Sequence, residues 1–431
     1  MRFWRAFYNL VGVPLLFVSF QLARLQSSKI RKGIRGRKRL FDQLRRQVAA
    51  LGSGPRLWVH VSSLGEFEQA KPLIADAKKR WPDLKVVVSF FSPSGYDYAG
   101  KVPFVNLTTY LPFDSPRQAH LFLDLIDPAV AVFVRHDIWP NHLWEAERRG
   151  IPRVLVDASL RPPRGWAAGI QRFFNGFLFS LFDVICAVSE EDAERIRAFV
   201  PEKEVLVTGD TRYDQVVRRA RETGPIQDLL DHPGLKNLDI LVLGSTWPSD
   251  EEVVFPALWK LLKREGFRAV VVPHEPTPER LAEIEGQFAE QGYRTVRLTE
   301  WRRQPEDHWN ALLVDTVGLL ANLYALGRVA FVGGSFGPGI HSALEPAAHA
   351  CAVVCGPVYE NSPDARVLVQ RQGALVIHGS EEAYRTFARL FDAPEYRHRV
   401  GMAALQVVRE HTGASQRIVE SVLSRYLDRK T

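Results

Sequence analysis

Short apolar runs alternate with amphipathic stretches along most of the chain, and this alternation is typical of strands followed by helices. The first run covers residues 56–62, and a helical pattern follows it through about residue 80. Further predicted strands cover residues 85–89, 129–134, 153–156, 183–188, 204–208, 238–243, 269–272, 311–314, 329–332 and 352–355. This order predicts an α/β fold with mainly parallel, doubly wound sheets.

A polar interval divides the series of predicted strands into two halves. Residues 216–237 contain a Gly-Pro and a Pro-Gly pair, which are typical of turns and linkers. We therefore predict an N-terminal Rossmann-like domain over residues 41–215, a linker over residues 216–237 and a C-terminal Rossmann-like domain over residues 238–431, with a cleft between the two domains. Ligands of such sheets bind beyond the carboxyl ends of the strands, so we expect the functional residues in the loops that follow them.

Residues 1–40 differ from the rest of the chain in hydropathy and in charge. No charged residue occurs between Ala6 and Ala23, although a spanning helix needs about 20 apolar residues. Eight Lys and Arg residues follow this run before Asp42, the first acidic residue. The positive-inside rule then predicts a membrane anchor with a polybasic flank, and a catalytic body on the cytoplasmic side.

Two other interpretations of the N-terminal segment stay open. A cleaved signal peptide carries its positive charges before the apolar run, whereas most of the charges here follow it. A buried helix of a globular domain would leave the polybasic flank unexplained. We therefore favour an anchor that either spans the membrane once or is deeply embedded in it.

The body of the chain has ordinary globular composition, with 46% hydrophobic and 24% charged residues overall. Outside residues 1–41 there are 46 basic and 49 acidic residues, because that segment holds ten of the 56 Lys and Arg and none of the Asp and Glu. This balance argues against nucleic acid as a partner. Three cysteines in 431 residues exclude a disulfide framework.

The strongest local motif is a glycine-rich loop over residues 333–339, directly after the predicted strand at 329–332. Its four glycines allow backbone N–H groups to approach an anion, and the dipole of the following helix favours negative charge there. Glu345, one turn into that helix, is placed to accept hydrogen bonds from a ribose diol. A tight strand-to-helix turn that binds nothing is the alternative.

Three other strand-ending loops carry charged residues. Glu66 follows the first strand, near the start of a helix whose dipole keeps a carboxylate ionised and suited to accept a hydroxyl proton. A helix-capping acid is the alternative, and the sequence by itself favours it. Asp137 follows the strand at 129–134 in what is otherwise an ordinary proline-containing turn, and Arg212 follows the strand at 204–208 as a possible phosphate partner.

Several catalytic motifs do not occur in the sequence. It contains no Asp-x-Asp, no His-Glu-x-x-His, no Gly-x-Ser-x-Gly and no Walker A lysine loop. Cys351 and Cys355 lack a second pair of ligands, so we interpret them as buried thiols and predict no metal site.

Taken together, these loops resemble the 3-deoxy-D-manno-octulosonic acid (Kdo) transferases. The resemblance follows chain order over nearly the whole sequence. Its motifs are Val-Ser-Ser-Leu-Gly-Glu at 61–66, Tyr-Leu-Pro-Phe-Asp at 110–114, Ile-Trp-Pro-Asn at 138–141, Gly-Ser-Thr at 244–246, Asp-Thr-Val-Gly-Leu-Leu at 315–320, Phe-Val-Gly-Gly-Ser at 331–335 and Leu-Glu-Pro-Ala at 344–347.

The resemblance implies a GT-B glycosyltransferase with two Rossmann-like domains, no metal and no cofactor. Its donor is CMP-Kdo and its acceptor is a lipid A precursor, so the reaction belongs to lipopolysaccharide core biosynthesis. Membrane lipids are implied as a further partner, because the family is anchored in the inner membrane with its active site in the cytoplasm. One base without a covalent nucleophile predicts inversion at the donor carbon.

The resemblance also assigns roles to individual residues. It implies Glu66 as the general base, and Asp137 and Arg212 as groups that stabilise the transition state, although the commoner family pattern has Glu and Lys at those two positions. The implied CMP-binding residues are Pro273, His274, Val317, Gly318, Leu319, Ser342, Ala343, Leu344 and Glu345.

Some of these positions depart from the family pattern and indicate a variant branch. His274 replaces the Arg of a Pro-Arg-His motif, Leu319 replaces Glu in Gly-Glu-Leu, and Ser342 ends a Gly-Ile-His-Ser sequence in place of Gly-Gly-His-Asn. The alternative functions are a GT-B transferase that uses another nucleotide sugar with a lipid acceptor, a sugar-nucleotide 2-epimerase, and a non-catalytic, membrane-tethered protein that binds a nucleotide sugar.

Overall fold

The computed structural model describes residues 2–99, 102–135, 137–160, 168–236 and 238–429. The chain forms two compact units, Met1–Gln215 with Gly413–Thr431, and Val216–Thr412. Each unit is built around one seven-stranded parallel sheet. The predicted α/β fold with two Rossmann-like sheets is therefore confirmed.

The sheet of the first unit has the strand order β3-β2-β1-β4-β5-β6-β7. Its strands are β1 Arg56–Val61, β2 Lys85–Phe90, β3 Leu107–Tyr110, β4 Val130–Val134, β5 Arg153–Ala158, β6 Val184–Ala187 and β7 Glu204–Val207. Every residue of β4 and β5 is buried, because helices cover both faces of a parallel sheet. The edge strand β7 is largely exposed.

The sheet of the second unit has the order β10-β11-β9-β8-β12-β13-β14. Its strands are β8 Asp239–Thr246, β9 Phe267–Pro273, β10 Thr295–Arg297, β11 Ala311–Leu313, β12 Val329–Val332, β13 Ala352–Cys355 and β14 Ala374–Val376. Sequence analysis missed β3, β10 and β14, which have three or four residues each.

Helices connect the strands and cover both faces of each sheet. The α-helices are Arg2–Phe7, Val13–Gln26, Ser28–Gly36, Leu40–Ala50, Leu64–Arg80, Pro93–Ala99, Pro116–Ile126, Pro140–Arg148, Ala168–Ser180, Glu190–Arg197, Thr211–Arg221, Gln227–Asp231, Pro248–Leu261, Pro278–Glu290, Leu298–Arg303, Leu320–Leu323, Leu344–Ala348, Pro363–Gln370, Ser380–Asp392, Pro394–His411, Ala414–Ile418 and Ser424–Leu427. Short 3₁₀ helices cover Gly224–Ile226, Pro233–Leu235 and Tyr324–Leu326, and π-helical turns cover Tyr8–Gly12 and Val419–Leu423.

The domain boundaries differ from those expected from the sequence. The predicted C-terminal domain ends at residue 431, but residues 413–431 belong to the first unit. The Asp214 carboxylate accepts the backbone N–H groups of Gly413 and Ser415, and apolar residues such as Ile418 pack into the core beneath β1. The predicted linker at 216–237 is largely helical, and its Ile226 is fully buried in the core of the second unit.

The N-terminal segment contains one helical stretch, Trp4–Gln26, that is long and apolar enough to cross a membrane. One residue of the polybasic flank is nevertheless a structural group. Arg37 donates hydrogen bonds to the carbonyl oxygens of Gly33 at 3.0 Å, Phe91 at 2.8 Å and Leu111 at 2.7 Å. Its guanidinium also lies over the rings of Phe91, Tyr110 and Phe113.

Replacing Arg37 with Lys should loosen the flank, because an ammonium group keeps the charge but cannot reproduce the planar fork of donors. We expect the free energy of local unfolding to fall by about 2 kcal/mol, which corresponds to roughly 30-fold faster hydrogen exchange in residues 28–40. Arg35→Lys, at an exposed position of the same helix, is the matched control. Equal exchange in the two variants would contradict the structural role of Arg37.

Candidate active site

Glu66 lies in the first turn of the helix Leu64–Arg80, directly after β1. Its carboxylate accepts a hydrogen bond from the backbone N–H of Ser62, while the Ser63 side chain makes no capping bond. The donor of this bond, Ser62, lies before the N-cap residue Ser63, so the bond does not cap an N–H group of the helix itself. The same bond also holds the half-buried carboxylate in one orientation at the carboxyl end of β1, which is the placement that a general base needs.

Asp137 is held by a chain of hydrogen bonds that the sequence analysis did not identify. His60, fully buried near the end of β1, places Nε2 at 2.9 Å from Asp137 Oδ2 and Nδ1 at 2.8 Å from Ser89 Oγ. Trp58 Nε1 donates to the same Ser89 oxygen at 2.8 Å. His60 Nδ1 also lies 3.2 Å from the Ser89 carbonyl oxygen, so the imidazole joins Ser89 of β2 to Asp137.

Arg212 is oriented by Asp210, a buried residue in the loop that follows β7. The Asp210 carboxylate accepts the Arg212 backbone N–H at 2.9 Å and its Nε–H at 2.8 Å. Arg135, which follows β4 and lies two residues before Asp137, places a guanidinium nitrogen 3.8 Å from the same carboxylate. The structure thus links the loop that carries Asp137 to the loop that carries Arg212.

A second buried carboxylate, Asp157, lies behind this ion pair near the end of β5. It accepts hydrogen bonds from the backbone N–H and the hydroxyl of Thr211. Burial, followed by the neighbouring Asp210 carboxylate, raises the pKa of Asp157 to about 7. Arg135 and Asp157 both adopt positive φ, 61° and 55°, a conformation that costs free energy for non-glycine residues and is common at functional sites.

In the second unit, three aromatic rings form a layer at the carboxyl ends of β8, β9 and β12. The His274 ring stacks on Trp247 with centroids 4.7 Å apart and on His341 with centroids 4.4 Å apart. Trp247 Nε1 donates to His341 Nε2 at 2.9 Å. Burial and the adjacent His274 lower the pKa of His341, which favours the neutral form of the His341 ring. Pro273 and His274 thereby lie beside the glycine-rich loop.

The backbone of the glycine-rich loop is not arranged as the sequence analysis expected. The buried Asp250 carboxylate accepts the N–H groups of Gly334 at 2.7 Å and Phe336 at 3.0 Å. Loop or strand carbonyl groups accept the N–H groups of Gly333, Gly337 and Gly339. These five N–H groups therefore already have acceptors within the protein, and the expectation that the loop itself offers its amides to an anion is wrong for them.

Steric requirements explain the glycines instead. A Cβ atom at residue 333 would lie 2.1 Å from the carbonyl oxygen of Ser245, and residue 334 has φ of +80°. Glycine is therefore needed for close backbone packing and for a left-handed turn. This agrees with the alternative interpretation of the loop as a tight strand-to-helix turn.

Glu345 and the loop at 317–319 are brought together by Arg219, a residue that the sequence analysis missed. One guanidinium nitrogen of Arg219 lies 3.5 Å from Glu345 Oε1, and another donates to the Gly318 carbonyl oxygen at 3.2 Å. Val317 is 81% exposed, whereas Glu345 is half-buried. Ser342, Ala343 and Leu344 lie between the glycine-rich loop and Glu345, at the start of the helix Leu344–Ala348.

The residues that the sequence analysis missed, His60, Asp210 and Arg219, act on predicted site residues through contacts made in three dimensions. Of these three residues, His60 could have been noticed in the sequence, because it is a polar residue in an otherwise apolar part of β1. No group of three or more His, Cys, Asp or Glu side chains that could hold a metal ion occurs among the residues that the structure describes.

Comparison with known proteins identifies the family. A family model described as 3-deoxy-D-manno-octulosonic-acid transferase (kdotransferase) matches residues 32–215. The chain is 26% identical to the 3-deoxy-D-manno-octulosonic acid transferase of Haemophilus influenzae, with 99% of both chains covered. It is 27% identical to the enzyme of the same name from Chlamydophila psittaci, with 87% of this chain and 86% of that protein covered.

Solved structures agree with the fold. UDP-GlcNAc 2-epimerase from Neisseria meningitidis superposes with a TM-score of 0.63 at 15% identity, covering 86% of this chain and 100% of the epimerase. At that identity the likeness concerns the fold alone. The sequence relatives match almost the whole chain, and the order of motifs from Glu66 to Glu345 runs through both units. These matches support the 3-deoxy-D-manno-octulosonic acid transferase family for this chain, which is a glycosyltransferase.

Proposed function

We propose that this enzyme transfers Kdo from CMP-Kdo to a lipid A precursor, in a metal-independent reaction that inverts the donor carbon. The observation that carries the proposal is the match to named Kdo transferases over 99% of the chain. The oriented carboxylate of Glu66 at the end of β1 supports it, because acceptor activation needs a positioned base.

In this mechanism Glu66 takes the proton from a hydroxyl group of the acceptor sugar. The hydroxyl oxygen then forms a bond to the anomeric carbon of Kdo, while the bond from that carbon to the CMP phosphate oxygen breaks. The bonding electrons leave with CMP, so negative charge grows on the phosphate. Positive groups that are held in place before the reaction stabilise such charge most effectively.

Arg212 and Asp137 are proposed to stabilise this transition state, and each is held by a buried partner. Asp210 orients Arg212, and His60 orients Asp137. Burial raises the pKa of Asp157 and so favours its neutral form, which leaves less negative charge beside the guanidinium groups of Arg135 and Arg212. The cluster then keeps net positive charge, which favours a phosphate leaving group.

CMP is proposed to bind the second unit. Glu345 accepts hydrogen bonds from the ribose diol, and residues 342–344 and 317–319 surround the phosphate and sugar. Pro273 and His274 contribute the stacked layer beside them. Five backbone N–H groups of the glycine-rich loop already have acceptors within the protein. That loop therefore supports these residues and does not bind the phosphate directly.

The enzyme is proposed to lie at the inner membrane with its catalytic units in the cytoplasm. The apolar helical stretch Trp4–Gln26 and the cationic residues that follow it support this location. Membrane attachment suits an enzyme with a lipid acceptor, because tethering raises the concentration of the enzyme at its substrate.

Incubation of the purified full chain with CMP-Kdo and a lipid A precursor in mixed micelles tests the function directly. Mass spectrometry should show acceptor that has gained Kdo, and added EDTA should leave the rate unchanged. A product formed only from UDP-sugars would instead support another GT-B transferase, and nucleotide binding without any product would support a non-catalytic protein.

Replacing Glu66 with Gln should lower kcat by roughly 10²–10⁴-fold, because a general base is lost. The amide oxygen of Gln can still accept the Ser62 N–H, so we expect thermal stability and CMP binding to stay close to those of the natural protein. Glu202→Gln, at an exposed position of the same unit, is the control and should retain full turnover. Near-normal turnover in Glu66→Gln would exclude this residue as the base.

Replacing Glu345 with Ala should weaken CMP binding, because the ribose loses a charged acceptor worth about 1.5–3 kcal/mol. Calorimetry on the full chain in detergent should therefore show a dissociation constant at least about tenfold higher. Glu395→Ala, an exposed position of the same unit, should leave the constant unchanged. An unchanged constant in Glu345→Ala would place the nucleotide elsewhere.

The raised pKa of Asp157 makes stability depend on pH in a defined direction. The folded protein holds the proton more tightly than the unfolded chain, so this group favours the fold below about pH 4 and loses that contribution as the pH rises toward about 7. Asp157→Asn stays neutral, so its Tm relative to that of the natural protein should increase from pH 5.5 to pH 8. A Tm difference that is constant or falls over this range would contradict the raised pKa of Asp157. The control is Asp124→Asn, at an exposed position.

A further inference from the structure

Arg135 follows β4 directly and lies two residues before Asp137. Its backbone N–H donates to the carbonyl oxygen of Val156, in the neighbouring strand β5, at 2.9 Å. That bond holds the residue at the carboxyl end of β4, which is the edge of a parallel sheet where ligands bind. The side chain of Arg135 is 27% exposed, so part of it is accessible from solution.

The guanidinium group of Arg135 has donors that the protein does not use. Its Nε–H is buried and has no acceptor in the parts of the chain that the structure describes. A terminal nitrogen lies 3.8 Å from Asp210 Oδ2, which is beyond hydrogen-bond distance. A guanidinium group carries five N–H donors and a permanent positive charge, so one with unused donors is suited to bind an anion.

The Asp210 carboxylate already has a close cationic partner. It accepts the backbone N–H of Arg212 at 2.9 Å and the Nε–H at 2.8 Å, and its Oδ2 lies 2.6 Å from a terminal nitrogen of Arg212. Arg135 is the more distant of the two guanidinium groups beside this carboxylate. Because Arg212 neutralises Asp210 at hydrogen-bond distance, Arg135 adds positive charge beyond what this carboxylate needs.

The second carboxylate of the cluster compensates this charge only weakly. Asp157 accepts hydrogen bonds from the backbone N–H and the hydroxyl of Thr211. Burial raises the pKa of Asp157 and so favours its neutral form. The two arginines therefore face less negative charge than two ionised carboxylates would supply, which favours an anionic ligand beside them.

The backbone of Arg135 is held in a conformation that favours glycine. Its φ is 61°, which costs free energy for a residue with a Cβ atom. A turn that served only to end β4 would form more easily with glycine at this position. The retained strain therefore indicates that the Arg135 side chain has a use.

We propose that Arg135 is a substrate-binding residue that contacts an oxyanion of the donor, next to Arg212. The proposed donor CMP-Kdo carries two such groups, the carboxylate of the sugar acid and the phosphate of CMP, and the planar fork of a guanidinium group binds either. This inference rests on the proposed function, and it adds a donor-binding residue to the first unit.

Glycine at position 135 separates ligand binding from a structural role. Arg135→Gly removes the guanidinium group but suits the positive φ, so we expect its Tm to equal or exceed that of the natural protein. Arg117→Met, at an exposed position of the same unit, is the control for the loss of one cation. A lower Tm of Arg135→Gly together with unchanged donor binding would show a purely structural role and overturn the proposal.

Calorimetry on the full chain in detergent, with CMP-Kdo and without acceptor, measures donor binding. We expect the dissociation constant of CMP-Kdo to be at least about tenfold higher for Arg135→Gly than for the natural protein and Arg117→Met. CMP has the phosphate but not the sugar carboxylate. A matching loss of CMP affinity therefore identifies the phosphate as the contact, and unchanged CMP affinity identifies the carboxylate. Unchanged affinity for CMP-Kdo would overturn the proposal.

Arg135→Lys and Arg135→Met form a second pair that tests the charge itself. Both keep a long side chain on the same backbone, so the cost of the positive φ is common to them. We expect the Lys variant to bind CMP-Kdo at least about fivefold more tightly, because an ammonium group still attracts an oxyanion. Equal binding by the two variants would contradict an ionic contact. These measurements contain no acceptor, so they are independent of whether the natural protein completes the proposed glycosyl transfer.

Discussion

Buried aspartates that accept backbone N–H groups hold the loops at the carboxyl ends of the strands in both units. Asp114 accepts N–H groups at the start of the helix after β4, Asp157 accepts one after β7, and Asp250 accepts two from the glycine-rich loop. A buried carboxylate without such donors would be strongly destabilising, so carboxylate and loop stabilise each other. Without any one of these aspartates, the buried N–H groups would lack an acceptor and the loop would become mobile.

This constraint explains why the proposed catalytic groups are held by residues without an obvious chemical role. Parallel strands bring their carboxyl ends to one edge of a sheet, but they do not set the orientation of a side chain in the following loop. Asp210 supplies that orientation for Arg212, and His60 supplies it for Asp137. Charged groups that are held before the reaction begins need less reorganisation when charge develops in the transition state.

The attachment of the N-terminal helix depends on the same network. Asp114 accepts the Tyr8 hydroxyl on one side and the amides after β4 on the other, so it joins the N-terminal helix to the part of the chain that holds Trp139 and Asp137. Arg37 makes an equivalent connection to Phe91 and its neighbours through carbonyl oxygens. The N-terminal helix and the loop that carries Asp137 are therefore parts of one packed structure.

The amino-acid sequence by itself determined the α/β class, the position of the longer strands, the apolar and cationic N-terminus and the family motifs. These features are local, because buried parallel strands need continuous apolar runs and a membrane-facing segment needs unbroken hydropathy. The short strands β3, β10 and β14 were not recognised from the sequence.

Only the tertiary structure decided which groups meet. Asp250 and Gly334 are 84 residues apart, His60 and Asp137 are 77 apart, and Asp214 and Ser415 are 201 apart. Periodicity carries no information at such separations, since the pairing depends on how strands and helices pack. For that reason the sequence located the glycine-rich loop but not the carboxylate that accepts its amides, and it did not indicate that residues 413–431 return to the first unit.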